Sequence, residues 1–191
     1  MKKLFLITLS LFTATATITA QGQTTAAARP TSRVIEDGGT GPYKAIALQE
    51  SSLATHTVFR PQDLSKFGTN IKLPIIAWGN GACANSPWEH VNFLSEVSSY
   101  GFLVVAIGPM PLEGEKARGA MSKSAQLIGA VDWAIAQNGD KKSPLYQKID
   151  VSKIALSGMS CGGLQTLEMA PDPRVTTQVI YNSGIFITPG G

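Results

Sequence analysis

Gly158-Met159-Ser160-Cys161-Gly162 places one serine between two glycines, with Gly163 directly behind. A serine held on a turn this tight presents its hydroxyl clear of the backbone, where it can attack an electrophilic carbon. The hydroxyl alone is a weak nucleophile, so such chemistry also needs a proton acceptor and donors for the charge that develops. With 19 glycines in 191 residues the pattern can arise by chance, and the flanking elements must decide. The nucleophile reading needs a buried strand running into Ser160 and a helix leaving it. The alternative is an ordinary serine in a glycine-rich turn.

The flanking sequence supplies both elements. The run Lys153-Ile154-Ala155-Leu156 leads into the turn as a strand, and residues 163–169 read as a short helix. Upstream, 75–78 and 102–108 are short, continuously apolar runs, the mark of strands buried on both faces of a sheet. Residues 43–48 and 55–61 read as two further strands, and 175–182 as the last. Ser86-Pro87 predicts a helix start, cap residue then proline. A second amphipathic helix is expected over about 122–137, with Leu127, Ile128, Val131, Ala134 and Ile135 on one face. Residues 109–119 read as a loop. Strands alternating with helices at this spacing predict an α/β fold with a mostly parallel sheet and flanking helices.

The first 20 residues carry Lys2 and Lys3, an apolar run from Leu4 to Phe12 and small residues leading to Ala20. This is the pattern of a signal peptide, and the run is too short for a permanent membrane span. Residues 21–42, rich in Thr, Ala and Gly, read as a flexible lead-in, and 43–191 as the folded domain. Cleavage would remove two lysines and no acid, taking the formal charge from +3 to +1. No basic stripe favours nucleic acid, and no His/Cys/carboxylate spacing favours a metal. The expected location is secreted or periplasmic, as a monomer. Two cysteines in an exported chain suit a single disulfide.

With these elements in view, the chain resembles the α/β-hydrolase superfamily, in its secreted serine-esterase branch near the chlorophyllase, dienelactone-hydrolase and polyester-hydrolase-like groups. The stretches that carry the resemblance are LPIIAWGNGACANS (73–86), AVDWAIAQNG (130–139), DVSKIALSGMSCGG (150–163) and YNSGIF (181–186). It covers roughly 39–186. It implies acyl transfer from carboxylic esters, small or polymeric, through a Ser–acid–His triad without a cofactor. Ser160 carries over as nucleophile, and the backbone N–H groups of Ala82 and Cys161 as the oxyanion hole. Met159, Trp88 and Met110 border the same edge and are candidates for an apolar pocket, with core packing the competing reading for Trp88.

Those roles bear on the cysteines. Cys83 follows one donor residue and Cys161 is the other. Two donors aimed at one oxygen bring their backbones within disulfide reach. A Cys83–Cys161 bridge is therefore expected, against two buried free thiols.

The resemblance breaks down at the proton acceptor. In this fold the acid and the histidine follow the serine. Glu168 and Asp172 come too soon after Ser160, and both histidines, His56 and His90, lie upstream. His90 sits near the oxyanion loop but reads as a helix-packing residue, and His56 as structural. The expectation is a C-terminally incomplete hydrolase, inactive as it stands. An amidase or peptidase of the same fold, a truncated binding protein and a gene remnant are the alternatives.

Overall fold

The computed structural model describes residues 31–110 and 121–184. The signal-peptide segment and most of the 109–119 loop lie outside the described residues. Among the described residues seven strands form one sheet: β1 (Ser32–Arg33), β2 (Ala45–Leu48), β3 (His56–Pro61), β4 (Leu73–Gly79), β5 (Leu103–Ile107), β6 (Ile149–Met159) and β7 (Thr177–Tyr181). Their spatial order is β1-β2-β3-β5-β4-β6-β7. The first three pair antiparallel, and β3 meets β5 antiparallel; β5, β4, β6 and β7 run parallel. Three helices flank the sheet: α1 (Val91–Ser99), α2 (Ala125–Gly139) and α3 (Cys161–Glu168).

The apolar runs behave as strands buried on both faces. Leu103, Val105 and Ile107 of β5 point with Ile75 and Ala77 of β4 toward α2, meeting Leu127, Ala130, Val131 and Ala134. Val104 and Ala106 point with Trp78 to the opposite face, against Val91 and Leu94 of α1. Alternation with a period of two therefore serves two cores at once. All five residues of β5 are fully buried. At roughly 1.5–3 kcal/mol for each large apolar side chain, this strand anchors the sheet.

Two boundaries differ from the sequence reading. Ser86-Pro87 does not open the α-helix directly: Trp88–His90 forms a 3-10 turn, and α1 starts only at Val91. Residues 31–42, expected to be flexible, are built into the domain. Ser32 and Arg33 pair with β2, Ile35 enters the α1-side core, and the Tyr43 N–H donates to the Ser99 carbonyl at 2.9 Å. The Gly- and Thr-rich composition that suggests a loose leader instead lets the chain lie flat on α1: a Cβ on Gly41 would fall 2.3 Å from the Ser99 carbonyl oxygen.

β7 is an edge strand. Its Val179 and Tyr181 remain 38% and 40% exposed. Together with Ile76, Trp78, Phe93 and Val97 they line an apolar groove beside α1. Trp78, Phe93 and Tyr181 touch one another there, with ring centroids 5.4–5.9 Å apart.

Candidate functional site

β6 delivers Ser160 to the carboxyl end of the sheet, and α3 leaves it at once. Ser160 is the N-cap of α3, with φ 52° and ψ −116°, and it is exposed. A non-glycine residue with positive φ costs on the order of 1–3 kcal/mol and persists only where its surroundings enforce it. Here the Ser160 N–H donates to the Tyr181 carbonyl at 2.9 Å. The Ser160 carbonyl accepts from the Gly163 N–H at 2.9 Å and from the Ser183 hydroxyl at 2.6 Å. The glycines around it are required by space. A Cβ on Gly158 would lie 2.4 Å from Gly162 backbone atoms, and one on Gly162 would lie 2.1 Å from the Gly79 carbonyl oxygen. No Cβ survives at such distances, so strand, turn and helix pass one another only as glycine.

The loop after β4 lies against this elbow. Gly81–Cys83 forms one 3-10 turn closed by the Ala84 N–H on the Gly81 carbonyl at 2.9 Å. Within it Ala82 and Cys83 both take left-handed conformations, at φ 52° and 48°. Ala82 is exposed and Cys83 buried. Cys83 and Cys161 form a disulfide with their Cα atoms 5.1 Å apart. The expected bridge is thus present, and it joins the Ala82 turn to the first residue of α3. The Cys161 N–H belongs to the first helical turn, whose donors have no intrahelical acceptor and face the positive end of the helix dipole.

Three polar residues hold this loop without having been expected at the site. Buried Asn80 accepts from the Trp78 indole N–H at 3.1 Å. Its amide donates to the Ala84 and Ile107 carbonyls at 2.9 and 2.8 Å. The Cys83 carbonyl accepts from the N–H and the hydroxyl of Ser122, at 2.8 and 2.9 Å. Gln165 of α3 donates to the Ser122 carbonyl and hydroxyl at 3.1 and 3.0 Å. The Asn80 signal was the Gly-Asn-Gly turn itself. Ser122 and Gln165 are single polar residues with no local pattern to mark them.

Met159 lies partly buried against the loop, its Cε 3.0 Å from where a Gly81 Cβ would stand. Trp88 is half-buried, and the Arg33 guanidinium lies over its ring at 5.9 Å. Met110 is buried in the α1-side core.

Neither histidine bonds the serine. His56 is buried, and its two ring nitrogens face the Thr55 hydroxyl at 2.9 Å and the Gln126 carbonyl at 3.0 Å. With Nε2–H donating to Gln126 and Nδ1 accepting from Thr55, the neutral ring is fully matched. Burial holds its pKa below the usual value. His90 packs edge-on against Trp78, centroids 5.3 Å apart, with its Nε2 buried and unpartnered. Burial lowers its pKa too, partly offset by Glu89. The downstream carboxylates are engaged elsewhere. Glu168 accepts from the Ser124 hydroxyl. Asp172 pairs with Arg174, which lowers its pKa to about 2. Among the described residues no group of three or more His, Cys, Asp or Glu side chains could hold a metal ion. Nor is any described helix long and apolar enough to cross a membrane.

The arrangement sets an exposed serine on a strained elbow, next to a residue that a disulfide ties to the turn after β4. A family model described as PET hydrolase-like matches residues 21–181. No curated protein gives a significant match to the chain.

Proposed function

The chain belongs to the PET hydrolase-like family, ester and polyester hydrolases of the α/β-hydrolase superfamily, and from that premise we propose that Ser160 is the nucleophile of a secreted carboxylic-ester hydrolase. The single observation that carries this reading is the strained Ser160 elbow lying against the Ala82 turn. In the proposed mechanism the Ser160 Oγ attacks the ester carbonyl carbon as its proton passes to a histidine. The oxyanion forms against the N–H groups of Ala82 and Cys161. Collapse expels the alcohol and leaves an acyl-serine, which water cleaves by the reverse sequence. Met159 and Trp88 line the acyl side. The signal-like segment 1–20 and the disulfide both suit export.

Neither His56 nor His90 is placed as that proton acceptor. Supporting this, His56 spends both nitrogens on Thr55 and Gln126, and His90 is packed against Trp78.

The test is hydrolysis of short p-nitrophenyl esters by the protein. Ser160→Ala should remove about three orders of magnitude or more of the rate. Matching anilides should react far more slowly than esters. An unchanged rate in Ser160→Ala overturns the nucleophile assignment.

A further inference from the structure

We propose that the Cys83–Cys161 disulfide is the positioning element of the oxyanion hole and makes turnover sensitive to dithiol reductants. This rests on the reading of Ala82 and Cys161 as donors given above. The bridge joins the residue after one donor to the other donor residue itself, Cα to Cα at 5.1 Å. On the loop side two consecutive residues, Ala82 and Cys83, hold left-handed conformations that neither side chain favours. Among the described residues one backbone hydrogen bond closes that turn, while Asn80 and Ser122 hold the Ala84 and Cys83 carbonyls rather than the Ala82 N–H. On the other side Ser160 precedes Cys161 with its own positive φ. The bridge is therefore the covalent link between the Ala82 turn and α3, beside the hydrogen-bonded one that runs through Ser122 and Gln165.

Donors fixed in advance need not reorganise as charge develops, and that is where they accelerate a reaction. Cutting the bridge leaves both N–H groups present and lets the Ala82 turn relax. The cut is a thiol–disulfide exchange. A thiolate of the dithiol attacks one sulfur of the bridge and forms a mixed disulfide, and its second thiol closes to release the reductant as a disulfide. Two electrons and two protons pass to Cys83 and Cys161. Cys161 is part-exposed, whereas Cys83 is buried, so attack falls on the Cys161 sulfur.

The experiment compares oxidised, reduced and Cys83→Ala/Cys161→Ala protein, with thiols counted by mass spectrometry. Cys161→Ala keeps its backbone N–H, so it removes the tie and not the donor. In the reduced protein and the double variant, kcat on p-nitrophenyl esters should fall roughly tenfold or more, below the 100–1,000-fold loss of a whole donor, with KM unchanged. Reoxidation should restore the reduced protein, and reductant should not affect the double variant. Independently of turnover, amide hydrogen exchange should rise about tenfold at 81–84 and 161–163 while 103–107 stays protected. Unchanged kcat or unchanged local exchange after confirmed reduction overturns the inference. A fall in KM terms alone, or exchange rising across the whole sheet, also overturns it by showing a general structural role. Ester hydrolysis that survives Ser160→Ala instead removes the nucleophile reading and leaves the exchange result to stand or fall alone.

Discussion

Gly79 and Gly162 cross so closely that a methyl group on Gly162 would stand 2.1 Å from the Gly79 carbonyl oxygen. The contact joins the end of β4, which launches the Ala82 turn, to the start of α3, which carries Cys161. Both partners at the clash are backbone, so no side chain can swing aside. Gly162→Ala should therefore cost at the upper end of the roughly 1–3 kcal/mol typical of overpacking. It should also push the two donor segments apart. Chemical denaturation measures the first effect and the Ser160-dependent rate the second. A variant of wild-type stability would show that the two backbones separate freely.

Asn80 ties three groups at once: the Trp78 indole and the carbonyls of Ala84 and Ile107. Asn80→Ala leaves these without their partner, at about 1–3 kcal/mol for each group that water does not reach. Asn80→Asp is the sharper variant. It keeps the acceptor for Trp78 but turns a buried anionic oxygen toward two carbonyls. Burial raises that carboxyl's pKa in the folded state, so the fold favours its protonated form. Its stability deficit relative to wild type should widen as pH rises from 5 to 7. Denaturation midpoints at the two pH values decide this, and a deficit independent of pH would contradict it.

His56 makes stability depend on acid. Its folded pKa is lowered by burial, so between that value and about 6.5 the unfolded chain binds the extra proton. The stabilising contribution of the neutral ring is complete above about pH 6.5 and is lost as pH falls toward the folded pKa. His90 acts in the same direction. Thermal melts should fall in Tm on acidification below about pH 6.5, and His56→Gln should flatten that slope. An equal slope in the variant would place the acid sensitivity elsewhere.

The β7 edge predicts how the isolated chain behaves. Val179 and Tyr181 sit exposed on a strand whose outer backbone edge has no neighbouring strand among the described residues. Such an edge pairs with other chains. Residues 21–191 should associate on concentration, and Val179→Lys should reduce this with little change in Tm. Light scattering after size-exclusion chromatography measures it. A monomer at high concentration without the substitution would rule out this edge as sticky.

Most of the architecture was legible because it is written in contiguous patterns. The runs 75–78 and 102–108 suit strands buried on both faces, and the glycine spacing around Ser160 could be checked against the elements on either side. The Cys83–Cys161 bridge was reachable once two backbone donors were assigned to one oxygen. β1 was missed because two residues carry no periodicity, and Ser32 and Arg33 are held by pairing with Leu48 and Ala47 far along the chain. Ser122 and Gln165 were missed for a related reason. Their meaning lies in a hydrogen bond between residues 43 positions apart, which no local composition records. The α1 start was misplaced because Pro87 fits a 3-10 turn as well as an α-helix.

The span of the disulfide also sets an order of events during synthesis. Its two cysteines are 78 residues apart, and α1, β5, α2 and β6 all lie between them. The sulfurs meet only when β6 has docked beside β4, in the register that sets Gly79 against Gly158. A shift of two residues along that pair would carry Cys161 about 7 Å from its place, beyond bonding reach. Oxidation to a single monomeric species therefore works as a proofreading step on the central strand pairing. Chains that pair β4 and β6 out of register keep two free thiols, and a thiol-reactive probe added during refolding would separate them from the correctly assembled ones.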